Sequence, residues 1–404
     1  MERNDEFSYF FLFLQYICIS NQTNDSYLMT ELDSKTIKAL RFPLTFLVVL
    51  LHCMGRDQGM IHWDELTVND FPLIVKYMLS GTLCQLAVPT FFFISGYLFF
   101  QKLSHWDLTV YRSKLKKRVS GLLVPYLLWN LLCVPITFLV MWGEVKSGSR
   151  TMESLTTFLH EAPWTHLFWD FSSHDSAFKT LWGGTILVNS PILGTFWYVR
   201  DLMVMIVLSP LIYYLFRWGR QWPFFLLVMV FLLRLWPYTS LSVQSLFFAF
   251  GAYWALDRRS LCLSSHRVVR WLCYVMTVVF WMLVIYYHGN DSYWGVQLMP
   301  FFTFTAMWTV FSLARQYVTH CPPHWSPSIL LTESSFFVYA LHIELALPLA
   351  FFLSKRLFGA TTSPWLLTLQ YLLLPVLIYA ICLLCWQVLK KICPRGLSLL
   401  NGNR

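Results

Sequence analysis

Apolar runs of about 20 residues recur along this chain, and its few charged residues are gathered into clumps between them. That is the length an α-helix needs to cross the hydrocarbon of a bilayer. A soluble globular chain carries about 25% charged residues, whereas this one carries 13% against 57% hydrophobic. The pattern predicts an all-α, polytopic membrane protein with about ten transmembrane helices. The expected spans are roughly residues 37–55, 77–100, 119–142, 194–216, 221–237, 241–257, 268–288, 295–315, 334–353 and 365–391. The 19 Trp and 20 Tyr suit a protein with two membrane–water interfaces to anchor.

Lysine and arginine placement gives a direction. With the N-terminus inside, most of the basic residues fall on inner segments, including the run Arg112 to Arg118. The acidic stretch Asp57 to Asp70 then falls outside, and Lys390, Lys391 and Arg395 return inside. Both termini are therefore expected in the cytoplasm. Residues 1–33 read as a cytosolic, poorly ordered segment, and Met29 opens a more natural start than Met1. The apolar stretch 9–20 follows Glu2, Asp5 and Glu6 instead of a basic region, so it makes a poor signal peptide. Residues 34–393 form the expected membrane domain. Its longest connection, about 143–193, reads as an external cap with His160, Glu161, His166, Asp170, His174 and Asp175. Residues 394–404 read as a cytosolic tail.

The net charge of +9 sits in short loops between apolar runs. That arrangement faces lipid headgroups and argues against nucleic acid. The ten cysteines lie mostly within apolar runs and suggest no disulfide framework. Cys382 and Cys385 are spaced C-x-x-C inside the last span. The segment His320-Cys321-Pro322-Pro323-His324 matches no standard metal spacing, so no metal is expected.

Ionisable groups inside spans are costly and are functional candidates by default. Here they are Arg41, His52, Arg200, Asp201, Arg234, His342 and Glu344. Arg41 and His52 are eleven residues apart, three turns plus about 20° at about 100° per residue, so they share a helix face about 16 Å apart. Ser335, Tyr339 and His342 form one stripe of another helix. Glu344 points to a different face. Ser95 ends the second span near the inner surface, beside Lys114, Lys116, Lys117 and Arg118. Such a basic inner mouth suits a phosphorylated donor. Each feature also has a plainer reading. A membrane histidine can simply bond helix to helix. Arg41 and the run Lys114 to Arg118 can serve only as topology signals. Arg200 and Asp201 can neutralise each other, and the Ser335 stripe can be polar glue.

Taken in order, five segments resemble the acyltransferase-3 family of bacterial membrane acyltransferases. They are Arg41-x10-His52, Phe91-Phe92-Phe93-Ile94-Ser95-Gly96-Tyr97, Lys117-Arg118 before Pro125-Tyr126-Leu127-Leu128-Trp129, Phe196-Trp197-Tyr198-Val199-Arg200-Asp201-Leu202, and Ser335 to His342. The resemblance covers about residues 34–390. It implies an enzyme of the bacterial inner membrane that takes an acyl group, acetyl foremost, from cytosolic acyl-CoA. The group is passed to a hydroxyl of a cell-surface glycan or lipid-linked sugar. His52 would be catalytic, assisted by Arg41. Arg118, Lys117, Lys114 and Ser95 would bind the donor. Arg200, Asp201, Trp197, Ser335, Tyr339 and His342 would support the site. No permanently bound cofactor is implied; acyl-CoA is a substrate. Many members carry Arg-x-x-Arg entering the third helix. Here Leu115 and Gly121 flank Arg118 at that spacing, so the second arginine is missing. A polytopic transporter or glycan flippase is the alternative reading.

Overall fold

The architecture comes from a computed structural model. It describes residues 31–402, except 56–60, 62, 102, 104, 149, 162–166, 170–176, 180–184, 188–190, 236–239, 262–266, 289–292, 323–324, 326–327 and 360. Of the expected external cap, His166, Asp170, His174 and Asp175 lie outside the described residues, as does the segment 1–30.

Each of the ten apolar runs lies on a helix. They are α1 (Glu31–His52), α2 (Val68–Phe100), α3 (Leu108–Lys146), the bent pair α5 (Gly194–Val207) and α6 (Ser209–Gly219), α7 (Trp222–Leu232), α8 (Ser240–Leu256), α9 (Arg267–His288), α10 (Tyr293–His320), α11 (Ile329–Phe358) and α12 (Pro364–Ile392). The connection after α3 holds a short helix, α4 (Met152–Glu161), and a hairpin of β1 (Ala177–Lys179) and β2 (Thr185–Leu187), with Phe178 opposite Ile186. Among the described residues, six helices are long and apolar enough to cross a membrane: α2, α3, α9, α10, α11 and α12. The pair α5–α6, bent by 55°, makes a seventh if it is one span. Three of the ten runs fall outside that group. Helix α1 carries Lys35, Lys38 and Arg41, while α7 and α8 have 11 and 17 residues. The protein is thus a helical, multi-pass membrane protein, with fewer helices of full spanning length than the apolar runs suggest.

One boundary differs from the sequence expectation, for a local reason. Helix α1 starts at Glu31, inside the segment expected to be poorly ordered. Its Asp33 is fully buried, pairs with Arg315 at 2.7 Å and accepts the Leu261 N–H at 3.3 Å. That anchor extends the helix, so Pro43 lies inside it and not in its first turn. At the other end lies the segment expected as a cytosolic tail. Pro394–Leu400 forms a short helix, α13, which returns to pack against α12 and α3.

Close helix crossing sets the frame. Helices α2 and α8 meet at Gly96 and Gly251, where an added Cβ would stand 2.1 Å from Phe248 O and 2.0 Å from Phe93 O. With little hydrophobic drive between helices in lipid, small residues let backbones approach and gain dispersion contact. Gly96 thereby fixes the depth and rotation of Ser95 beside it. Around this crossing lies an aromatic core that includes Phe93, Trp254, Trp308 and Phe311.

Two helices carry a widened π turn just before a proline. In α3 it spans Val119–Leu123 and precedes Pro125; in α11 it spans His342–Ala346 and precedes Pro348. Proline has no N–H to give the carbonyl four residues back, so the ladder shifts. The Leu347 N–H accordingly reaches His342 O, and the Val124 N–H reaches Val119 O. Each widened turn begins at or beside a candidate residue, His342 in one helix and Arg118 in the other. At its start, α3 is capped by Asp107, whose side chain accepts the Val110 N–H at 2.7 Å. That bond holds the Asp107 carboxyl below the usual carboxylate range.

Candidate active site

Helix α1 contributes Ile37, Arg41, Thr45 and Val48 to one cavity, a stripe spaced by four, four and three residues. The same spacing continues to His52 one turn further. Helix α11 runs alongside in the same direction and contributes Thr332, Ser335, Phe336 and Tyr339; His342 again follows one turn further. The cavity has a volume of about 490 Å³, within the range of small-molecule sites. Helices α2, α3 and α5 close it with Ser95, Arg118 and Tyr198 among others.

Its polar wall is defined by two arginines. Neither Arg41 nor Arg118 has a carboxylate partner among the described residues; Arg118 stands over the Phe99 ring at 5.9 Å. One carboxylate reaches the cavity, that of Glu333, and it is engaged by Lys390 at 3.4 Å. Ser95 Oγ and Tyr198 Oη stand 3.5 Å apart. Two arginines that line one cavity, neither with a carboxylate partner among the described residues, suit a phosphate or pyrophosphate.

Beyond Val48 and Tyr339 lies a pair of histidines. The rings of His52 and His342 have centroids 5.2 Å apart and are tilted by 48°. His342 is fully buried, and its Nδ1 sits 2.7 Å from Tyr339 O and 3.2 Å from Val338 O. Carbonyl oxygens only accept, so Nδ1 carries the hydrogen and Nε2 keeps its lone pair. That Nε2 is buried with no hydrogen-bond partner among the described residues. The Tyr339 ring bridges cavity and pair: it lies 5.8 Å from Tyr198 and 6.2 Å from His342, and its hydroxyl donates to Thr195 O.

The structure thus gathers Arg41, Arg118, Ser95, Ser335 and Tyr339 in one wall and brings His52 and His342 together past its end. Other candidates lie elsewhere. Lys114 donates to Phe99 O at 2.5 Å, and Lys117 is exposed; neither lines the cavity. Arg200 and Asp201 are buried and paired, with Nη2 and Oδ1 at 2.8 Å, and the guanidinium stacks over Trp169 at 4.9 Å. Asp201 turns its Oδ1 to Arg200. Trp197, one residue before Tyr198, is half-buried against the core. Arg234 donates to Val296 O at 2.8 Å. Glu344 accepts from Thr137 of α3 at 3.1 Å, on the face away from His342. Among the described residues, no three His, Cys, Asp or Glu side chains gather as a metal site.

Sequence reasoning missed Tyr198 and Asn401 as wall residues. Tyr198 stood in the open, between Trp197 and Arg200, but the adjacent charges drew attention from it. Asn401 carried no periodic signal at all.

The family model described as an acyltransferase domain matches residues 34–387, from just past the buried Asp33 almost to the end of α12. No curated protein and no solved structure matches the chain.

Proposed function

Because the chain belongs to the acyltransferase-3 family, we propose that it moves an acetyl group from cytosolic acetyl-CoA to a hydroxyl of a cell-surface glycan or lipid-linked sugar. The observation that supports this most is a cavity walled by two arginines without carboxylate partners among the described residues and ending one helical turn short of two histidines. In this reading Arg41 and Arg118 hold the phosphates of the donor. The slender pantetheine arm runs along the α1 and α11 stripes, past Ser95 and Ser335. The thioester then arrives between Tyr339 and the histidine pair.

His52 takes the proton of the sugar hydroxyl as its oxygen attacks the thioester carbonyl. The C–S bond breaks, CoA leaves as a thiolate and takes up the proton, and the ester remains on the sugar. His342 positions the base. Its buried Nε2 can accept an N–H from His52 and so fix which His52 nitrogen faces the hydroxyl. Two imidazoles joined through one N–H···N bond of about 2.9 Å would have centroids about 5 Å apart, close to the spacing seen. The ten helical segments are taken as ten spans of the bacterial inner membrane, with both termini cytoplasmic.

The test uses purified protein in a lipid nanodisc with radiolabelled acetyl-CoA and candidate glycans. The expected result is alkali-labile label on a glycan, absent with His52→Ala at equal protein. Label transfer that proceeds without the protein's histidine, or movement of glycan with no acyl-CoA requirement, would overturn the reading.

A further inference from the structure

Resting on that donor reading, we infer that the C-terminal segment is a wall of the donor site and that Asn401 binds an amide of the pantetheine arm. Asn401 lines the same cavity as Arg41, Arg118 and Ser95. The residue is 5% exposed, yet its Oδ1 has no hydrogen-bond partner among the described residues. A buried amide end without a partner is costly, and the residue that carries it lines the cavity of the proposed donor site.

The segment holds this residue firmly. The Trp129 indole N–H donates to Leu400 O at 3.0 Å, and the Asn401 and Gly402 N–H groups bond back to Leu397 O at 2.9 Å and Leu399 O at 3.1 Å. Gly402 has φ +69, and an added Cβ there would stand 2.5 Å from Gly121 O. Gly121 belongs to the widened turn of α3, where Pro125 offers that carbonyl no helical N–H. The proline-induced turn thus opens the place where the chain end docks. Docking sets Asn401 against the wall that also carries Arg118 and Leu122.

The chemistry selects the ligand group. The two arginines suit phosphate, whereas a carboxamide pairs with another amide, offering N–H to its carbonyl and carbonyl to its N–H. A pantetheine arm carries two secondary amides and no charge.

The experiment measures binding of three probes to the full chain: acetyl-CoA, S-acetyl-pantetheine and adenosine 3′,5′-bisphosphate. Asn401→Ala should weaken acetyl-CoA and S-acetyl-pantetheine about five- to tenfold. It should leave the bisphosphate unchanged, raise KM for acetyl-CoA by a similar factor and leave kcat within about twofold. Asn401→Asp, which keeps an accepting oxygen, should recover part of the S-acetyl-pantetheine affinity. Equal affinity of wild type and Asn401→Ala for S-acetyl-pantetheine, or equal loss on all three probes, overturns the inference. Wild-type protein that binds none of the three overturns instead the donor reading on which it rests.

Discussion

Two sets of arginines lie among the helices of this protein, and their surroundings differ in one respect. Arg200 is buried against the carboxylate of Asp201 at 2.8 Å, with an indole stacked on its face. Arg41 and Arg118 face a cavity of about 490 Å³ with no carboxylate partner among the described residues. Both sets are costly in a membrane. The first is made tolerable from within the fold, by a partner one residue along the same helix. The second is left for something that comes from outside. A charge in a membrane helix is therefore a guide to function chiefly when the fold has not already neutralised it.

That contrast can be broken by substitution. Asp201→Ala removes the carboxylate paired with a buried guanidinium at 2.8 Å, and breaking such a pair costs about 3–5 kcal/mol. The expected outcome is a large loss of thermal stability in detergent, with Arg200→Met restoring most of it in the double variant. A single Asp201→Ala as stable as wild type would refute the structural role. Arg41→Ala and Arg118→Ala should do the reverse. Each removes charge-assisted bonds to donor phosphate, of about 1.5–3 kcal/mol, so KM for acetyl-CoA should rise about 10- to 100-fold while the unfolding temperature stays put. The smallest effect is expected at Lys117, which is exposed and outside the cavity. Lys117→Ala should change donor KM less than about twofold and stability by no more than about 0.5 kcal/mol. A large KM effect there would return the donor phosphates to the basic run on α3.

The stripes were open to reading in the chain. Arg41 and His52 fall eleven apart, Ser335, Tyr339 and His342 fall four and three apart, and these periodicities put Arg41, Ser335 and Tyr339 on the walls the structure shows, with His52 and His342 one turn beyond them. What could not be read was the relation between stripes. That His52 meets His342 depends on α1 and α11 lying side by side in the same direction, which no local pattern encodes. The proline signal was visible at Pro125 and Pro348, but that the ladder would widen just there, at Arg118 and His342, depends on packing around each turn. Asp33 looked like part of a loose leader, since its partner Arg315 is 282 residues away. Residues 394–404 read only as a cytosolic tail because a seven-residue helix that begins with a proline gives little signal; its docking rests on Gly402 fitting against Gly121.

The division of labour between the cavity and the histidine pair is the centre of the account, and acetyl-CoA binding and turnover measured on the same preparations test it most directly. His52→Ala should bind acetyl-CoA with wild-type affinity and lose transfer by about 10²–10⁴-fold, whereas the double variant Arg41→Ala with Arg118→Ala should lose binding. Transfer that survives in His52→Ala, or donor affinity that survives in the double arginine variant, would contradict it.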